Sequence, residues 1–158
     1  MSWLPQDKTF KNNMVMTKAE KVKQGKKNKA AGAKFEKKVR EQYESEDWIF
    51  SKWNNNIEDG KIIPARNYYI PGRGNVMGSG FPDFIMFRKD DDFKHLYEVM
   101  FVEAKLNGFL SKEEKEKLKV LNDMGHKTYV AYEDKSQPNG IRLREYVHTK
   151  GKEKILRG

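Results

Sequence analysis

The fold is decided by residues 80–105, GFPDFIMFRKDDDFKHLYEVMFVEAK. Residues 83–87 form a short, mostly apolar run, and residues 96–105 form a longer run rich in aromatic and β-branched side chains. The polar segment 88–92 separates them, a pattern typical of two buried strands joined by a turn. This stretch therefore predicts a β-hairpin at the centre of the fold.

An amphipathic helix is predicted upstream of this hairpin, from Ala30 to about Asp47. Its apolar residues recur at helical spacing, and basic side chains fill the other positions. The apolar positions are Ala31, Phe35, Val39 and Tyr43. Residues 48–53 then read as a short aromatic strand, and we interpret residues 62–80 as a long functional loop with some strand character.

A second helix is predicted downstream, because Ser111 and Glu114 match a capping box. Apolar residues at helical spacing mark its buried side, and Gly125 supplies a C-terminal stop. Strands are expected at residues 127–132 and 141–147. The predicted order is helix, three strands, helix, strand, strand, which defines an α/β fold.

Composition favours a single basic domain. A chain of 158 residues is typical of one hydrophobic core. The 32 Lys and Arg against 23 Asp and Glu give a formal charge of +9, so nucleic acid is the leading partner class, and a basic protein without such a partner is the alternative. The absence of Cys excludes disulfides, thiolate zinc sites and a cysteine nucleophile. No apolar run approaches the ~20 residues of a membrane span, so we expect no membrane partner and a cytoplasmic location.

The distribution of charge predicts three segments. These are a flexible basic N-terminal arm at 1–29, a folded domain at 30–148 and a basic C-terminal tail at 149–158. The arm has many lysines and few large apolar residues, too few to offset the entropy of ordering. Two interpretations of the arm stay open: a solvated charged tail, or a segment that contacts phosphates without sequence preference.

Acidic and basic side chains are expected to meet at the end of the hairpin. Glu103 and Lys105 are two apart on a strand, so they project to one face while Ala104 turns to the packed side. If the neighbouring strand aligns Asp83 with them, two carboxylates and a cation surround one point, which suits Mg²⁺ or Mn²⁺. Glu36, at the border of the first helix's apolar stripe, is placed to face the same cleft. A metal there would polarise a phosphoryl oxygen and lower the pKa of a bound water.

Each of these residues also has a purely structural interpretation. Glu36 is spaced to pair with Arg40 at i, i+4. Asp83 fits a turn carboxylate, and Glu103 with Lys105 fits a cross-strand surface ion pair. The apolar runs that flank both strands favour burial, and burial favours the metal-binding interpretation.

Three motifs together resemble the PD-(D/E)XK nuclease superfamily, in particular VRR-NUC domains and archaeal-type Holliday junction resolvases. They are residues 80–85 (GFPDFI), 102–105 (VEAK) and 110–115 (LSKEEK), and the resemblance spans residues 30–132. It implies a restriction-endonuclease-like core, in which helices flank a mixed central β-sheet in the order α-β-β-β-α-β.

The resemblance also implies the site of a metal-dependent endonuclease. It makes the metal ligands Asp83, Glu103, the Ala104 carbonyl and Glu36, with Lys105 as the catalytic lysine and Ser79 near the scissile phosphate. Many relatives carry Gln at the position of Glu114. This departure weakens any role for Glu114 and points to Lys115 for the polar contact.

Five basic residues are expected to contact DNA phosphates: Lys34, Lys52, Arg66, Arg73 and Lys115. Branched DNA such as a four-way junction is the favoured substrate, because a compact domain without a sequence-reading module recognises shape and backbone. Junction resolution needs two active sites and hence a homodimer, for which the aromatic segment 68–77 is a candidate surface. The alternatives are a general or flap nuclease, an RNA-directed nuclease, and a DNA-binding accessory module that does not cut.

Overall fold

The computed structural model describes residues 16–78, 80–149 and 152–153. Within these residues the chain forms the helices α1 (Lys18–Glu44) and α2 (Lys112–Asp123). The strands are β1 (Ile49–Lys52), β2 (Asn56–Glu58), β3 (Lys61–Ile63), β4 (Asn67–Ile70), β5 (Gly74–Met77), β6 (Phe84–Lys89), β7 (Tyr97–Ala104), β8 (Lys127–Glu133), β9 (Ile141–Glu145), β10 (His148–Thr149) and β11 (Lys152–Glu153). The fold is mixed α/β, as predicted.

A five-stranded mixed sheet in the order β1-β6-β7-β8-β9 organises the molecule. The predicted hairpin is confirmed, since β6 and β7 pair antiparallel with Phe84 opposite Val102. Strand β8 pairs parallel to β7, and α2 makes the crossover that a parallel connection requires. The outer strands β1 and β9 are both antiparallel to their neighbours.

Each face of the sheet is covered by one helix. Phe35 and Val39 of α1 join a buried cluster with Val102. Leu118 of α2 joins a second cluster with Phe101. Because successive residues of β7 point to opposite faces, the two clusters lie on opposite sides of the sheet. Fully burying one such apolar side chain stabilises the fold by about 1.5–3 kcal/mol.

Helix α1 begins earlier than predicted, at Lys18 rather than Ala30. Thr17 caps it: its side chain accepts from the Glu20 backbone N–H, and the Glu20 carboxylate accepts the Thr17 backbone N–H at 2.7 Å. The predicted boundary between arm and domain therefore falls inside a continuous helix. The capping box supplies a start signal that outweighs the polar composition of this segment. Residues 1–15 of the predicted arm lie outside the described residues.

The segment 62–80, predicted as a long loop with some strand character, contains the hairpin β4–β5 and the end of a second small hairpin, β2–β3. Strands β2 and β3 are joined by Asp59 and Gly60, both with positive φ, which is the geometry of a tight primed turn. Strands β4 and β5 are joined through Gly72, whose φ of 81° suits the third position of a turn closed by the Arg73 N–H donating to the Ile70 carbonyl. Both turns carry glycine where the backbone needs positive φ.

The second half of the chain follows its prediction closely. Helix α2 has the expected capping box between Ser111 and Glu114, and Gly125 follows its end with a φ of 87°. Strand β9 is followed by the β10–β11 pair, so the predicted tail at 149–158 begins inside β10. None of the described helices has the length and apolar composition needed to cross a membrane.

Candidate metal centre

Asp83 and Glu103 brace one another across the β6–β7 hairpin. The pairing of Phe84 with Val102 continues to Asp83, which precedes β6, and Glu103 near the end of β7. The Asp83 backbone N–H donates to Glu103 Oε2 at 3.0 Å, and the Ala104 backbone N–H donates to Asp83 Oδ2 at 3.0 Å. The strand register therefore fixes both carboxylates at one point, as predicted for these two residues.

The position of Asp83 depends on two backbone hydrogen bonds that no sequence motif predicts. The Trp53 N–H donates to the Asp83 carbonyl at 3.0 Å, and the Phe81 N–H donates to the Asn55 carbonyl at 2.9 Å. Gly80 lies against this connection so closely that a Cβ there would overlap the Trp53 carbonyl oxygen and come within 2.7 Å of Asn54 Cα. Only glycine lets the chain reach Asp83 along this path.

Both carboxyl groups are held where ionisation is costly. Glu103 is 4% exposed. Burial, reinforced by the charge of Asp83, raises the pKa of Glu103 to about 7. Burial also raises the pKa of Asp83, against the opposing hydrogen bond from Ala104. A buried acid beside a half-buried one is favourable only with cations beside them.

Lys105 supplies one of these cations. Its Nζ lies 3.0 Å from Glu103 Oε1 and 2.6 Å from Glu114 Oε1. Burial works to lower the pKa of Lys105, but the hydrogen bond with Glu114 and the charge of Glu103 outweigh it and raise that pKa above its ordinary value. Lys105 is therefore an ammonium ion held between two carboxylates.

Glu114 contacts the candidate centre, although sequence reasoning gave it little weight. One of its oxygens accepts from Lys105, and the other accepts the Ser111 backbone N–H at 2.7 Å in the capping box of α2. Although burial opposes it, the hydrogen bond from Lys105 lowers the pKa of Glu114. Glu114 therefore makes this contact itself, and a role for Lys115 stays a prediction; the Lys115 carbonyl accepts from the Tyr146 hydroxyl at 3.2 Å.

A second lysine enters the centre from β1. Lys52 Nζ lies 3.0 Å from Glu36 Oε2 and 3.6 Å from Asp83 Oδ1, over the ring of Phe84. Burial lowers the pKa of Lys52, but Glu36 and Asp83 together raise it above its ordinary value. Glu36 thus faces the centre as predicted. The alternative pairing of Glu36 with Arg40 is not formed, since Arg40 Nε lies 3.8 Å from Glu44.

The remaining residues predicted to contact DNA phosphates lie on several parts of the fold. Lys34 and Arg73 are exposed, and exposed Arg66 lines a shallow pocket near Tyr68. Lys52, also predicted as a phosphate contact, lies beside the carboxylates of Glu36 and Asp83. Ser79 lies outside the described residues.

The donor set fits a hard divalent cation. Carboxylate oxygens from Asp83, Glu103 and Glu36 are the ligands that Mg²⁺ and Mn²⁺ prefer, and the Ala104 carbonyl is the fourth predicted ligand. Within the described residues, no group of three or more His, Cys, Asp or Glu side chains is arranged to hold a metal as it stands. Lys52 and Lys105 satisfy the carboxylates instead.

Comparison of the chain with protein-family models, curated proteins and solved structures finds no match. The chemistry of the site is therefore inferred from its own side chains and not from a related protein. Three carboxylates and two lysines come from four separate parts of the fold: α1, β1, the start of β6 and the end of β7.

Proposed function

We propose that this protein is a Mg²⁺- or Mn²⁺-dependent nuclease that hydrolyses phosphodiester bonds in DNA. The observation that carries the proposal is the reciprocal bracing of Asp83 and Glu103, with Lys105 3.0 Å from Glu103. A buried and a half-buried acid with raised pKa values beside a lysine are costly for stability, and such arrangements cluster at functional sites.

The proposed fold is that of the PD-(D/E)XK nucleases. Its core is α1, β1, β6, β7, α2 and β8, which matches the order α-β-β-β-α-β once the two small hairpins between β1 and β6 are treated as an insertion. In this arrangement the acids lie where β6 begins and β7 ends, and Lys105 directly follows β7.

Hydrolysis joins a water oxygen to phosphorus and breaks the bond between phosphorus and the leaving sugar oxygen. A bound divalent cation would polarise the phosphate and make hydroxide available near neutral pH. Asp83, Glu103 and Glu36 would hold that cation. Lys105, kept protonated and oriented by Glu114, would donate to the phosphate oxygen on which charge develops.

Branched DNA is the proposed substrate, cut by a homodimer with two-fold symmetry. The β4–β5 hairpin supports this proposal, because its Tyr68 and Tyr69 are 50% and 69% exposed and offer an aromatic surface for a partner. A nuclease that cuts linear or flap DNA is the principal alternative, and it requires no dimer.

The decisive experiment compares the wild-type chain with Glu103→Ala on labelled linear duplex, single-stranded DNA and four-way junctions. Each substrate is incubated with Mg²⁺, with Mn²⁺ and with a chelator. Glu113→Ala serves as the control, since Glu113 is exposed on α2 and pairs with Lys117 away from the centre. We expect metal-dependent cutting that Glu103→Ala loses and Glu113→Ala keeps.

Substrate preference then separates the candidates. Preferential cutting of junctions identifies a resolvase, whereas equal cutting of all duplexes identifies a general nuclease. Tight DNA binding without cutting of any substrate under either metal would refute the enzyme and leave a DNA-binding accessory module.

A further inference from the structure

The first half of α1 is a helix without a core-facing side. Residues 16–31 are all exposed, and the buried residues of α1, Phe35 and Val39, lie beyond them. The capping box at Thr17 nevertheless gives this half a defined start. Most helices in proteins are stabilised by packing an apolar face. Packing does not account for this exposed extension, so we consider a role in binding.

This exposed extension, residues 16–31, is strongly basic. It contains six lysines: Lys18, Lys21, Lys23, Lys26, Lys27 and Lys29. The one acid, Glu20, is engaged in the capping box. In the described part of the chain no carboxylate pairs with these lysines, whereas the second half of α1 has i, i+4 pairs such as Lys37 with Glu41 at 3.5 Å. The positive charge is therefore available to a polyanion.

Two of these lysines share the face of α1 that carries Glu36. At about 100° per residue, Lys18 falls almost in line with Glu36 and Lys29 within roughly 20° of it. At about 1.5 Å per residue, they lie roughly 27 Å and 10 Å from Glu36 along the helix. Since Glu36 contacts Lys52 in the candidate metal centre, this face leads directly into the centre.

Two glycines interrupt the same face. Gly25 and Gly32 fall within roughly 40° of Glu36 around the helix. A Cβ at either position would meet nothing within 4 Å, so no neighbour in the described chain requires the missing side chain. Glycine inside a helix lowers its stability relative to alanine, and one use of glycine is the close approach of a ligand.

We infer that this surface, here called the lysine face and defined by Lys18, Gly25, Lys29 and Gly32, binds the phosphate backbone of duplex DNA and directs it to the centre. The inference rests on the proposed nuclease function. The distance of about 27 Å from Lys18 to Glu36 along the helix corresponds to roughly eight base pairs at 3.4 Å each. Lysine contacts of this kind position a duplex without reading its sequence.

The test measures binding of the full chain to a fluorescent duplex of about 30 base pairs, in chelator, by anisotropy over a salt series. The variant Lys18→Gln/Lys29→Gln is compared with Lys23→Gln/Lys27→Gln. The second pair removes the same charge from the same helix, but from positions about 140° or more away from Glu36. We expect the first pair to reduce the salt slope by about 2 and the affinity by about tenfold, and the second pair to leave the slope unchanged.

The glycines give an independent readout. Gly32→Gln adds a good helix former, so the melting temperature is expected to stay level or rise while duplex affinity falls at least about threefold. Equal loss of salt slope in both lysine pairs overturns the inference, because it would reveal a diffuse field rather than a face. No loss of duplex affinity or salt slope in either pair also overturns it.

Chelator separates this inference from the proposed function. Duplex that binds through the lysine face but is never cut with Mg²⁺ or Mn²⁺ refutes the nuclease and leaves the DNA-binding surface standing. Cutting with an unchanged salt slope in Lys18→Gln/Lys29→Gln supports the nuclease and overturns the surface.

Discussion

Lys105 donates a hydrogen bond to Glu114 at 2.6 Å, and the same carboxylate caps the helix that follows. The start of α2 and the orientation of the lysine are therefore held by one side chain. This coupling makes Glu114 a positioning residue in the proposed reaction, although it would touch neither the metal nor the phosphate.

Replacing Glu114 is expected to affect cleavage and stability separately. Glu114→Ala removes the cap and the partner of Lys105, so we expect the free energy of unfolding to fall by about 1 kcal/mol and cleavage to fall about 10- to 100-fold. Ser111→Ala removes the cap alone and should lower stability by a similar amount with little loss of cleavage. Chemical denaturation and single-turnover cleavage measure the two effects. Equal loss of cleavage in both variants would contradict a role for Glu114 beyond capping.

The raised pKa of Glu103 predicts an unusual pH dependence of stability without metal. Its pKa is about 7 in the folded chain and 4.5 in the reference state, so the folded state binds the proton more tightly. The stabilising contribution is therefore complete below about pH 4.5 and is lost as the pH rises through about 7, by at most about 1.4 kcal/mol per pH unit. Denaturation of wild-type and Glu103→Gln protein in chelator from pH 5 to 8 isolates this slope. Parallel curves for the two proteins would rule out the shifted pKa.

Metal affinity should rise with pH, whereas the stability of the metal-free protein should fall. Ligand carboxylates must lose their protons before they bind a cation, so Mn²⁺ affinity is expected to rise between about pH 6 and pH 8. Titration calorimetry across this range provides the measurement. A flat affinity profile would place the metal away from Glu103.

Lys52 should compete with the metal for Glu36 and Asp83. Lys52→Gln removes an ammonium that lies 3.0 Å from one carboxylate and 3.6 Å from the other. We expect Mn²⁺ affinity to rise about tenfold and stability without metal to fall, since the carboxylates lose their cation. Lys34→Gln is the control, because it removes the same charge from an exposed position on α1. Equal Mn²⁺ affinities in the two variants would contradict this competition.

Gly80 and Gly25 should respond oppositely to alanine. Gly80→Ala forces a Cβ into the Trp53 and Asn54 backbone, so we expect a loss of about 3 kcal/mol or more in the free energy of unfolding. Gly25→Ala meets open space in a helix and should gain about 0.5–1 kcal/mol. Thermal and chemical denaturation give both values. A neutral Gly80→Ala would show that the chain reaches Asp83 by another path.

The sequence was most informative where local patterns and packing agree. The hairpin that holds Asp83 and Glu103 was predictable, because two apolar runs separated by a polar turn mark both strands. The capping box of α2 was also predictable, because its two residues are three apart in sequence and interact within one helical turn.

Long-range contacts and very short strands were harder to predict. The partnership of Lys52 with Glu36 joins residues on β1 and α1, and the contact of Lys105 with Glu114 bridges a strand end and a helix start. No periodic pattern in the sequence predicts either of these two contacts. The turn at Asp59 and Gly60 did have a local signal, but strands of three residues on each side are too short to show alternation.

The hydrogen bonds that the Asp83 and Ala104 backbone N–H groups donate to the Glu103 and Asp83 carboxylates have a consequence for folding. A slip of one residue between β6 and β7 would turn Glu103 to the opposite side of the sheet and separate it from the Asp83 amide. Misaligned hairpins would then bury a carboxylate among apolar side chains, at a high cost in free energy. The acids thereby select the correct strand alignment while the chain folds.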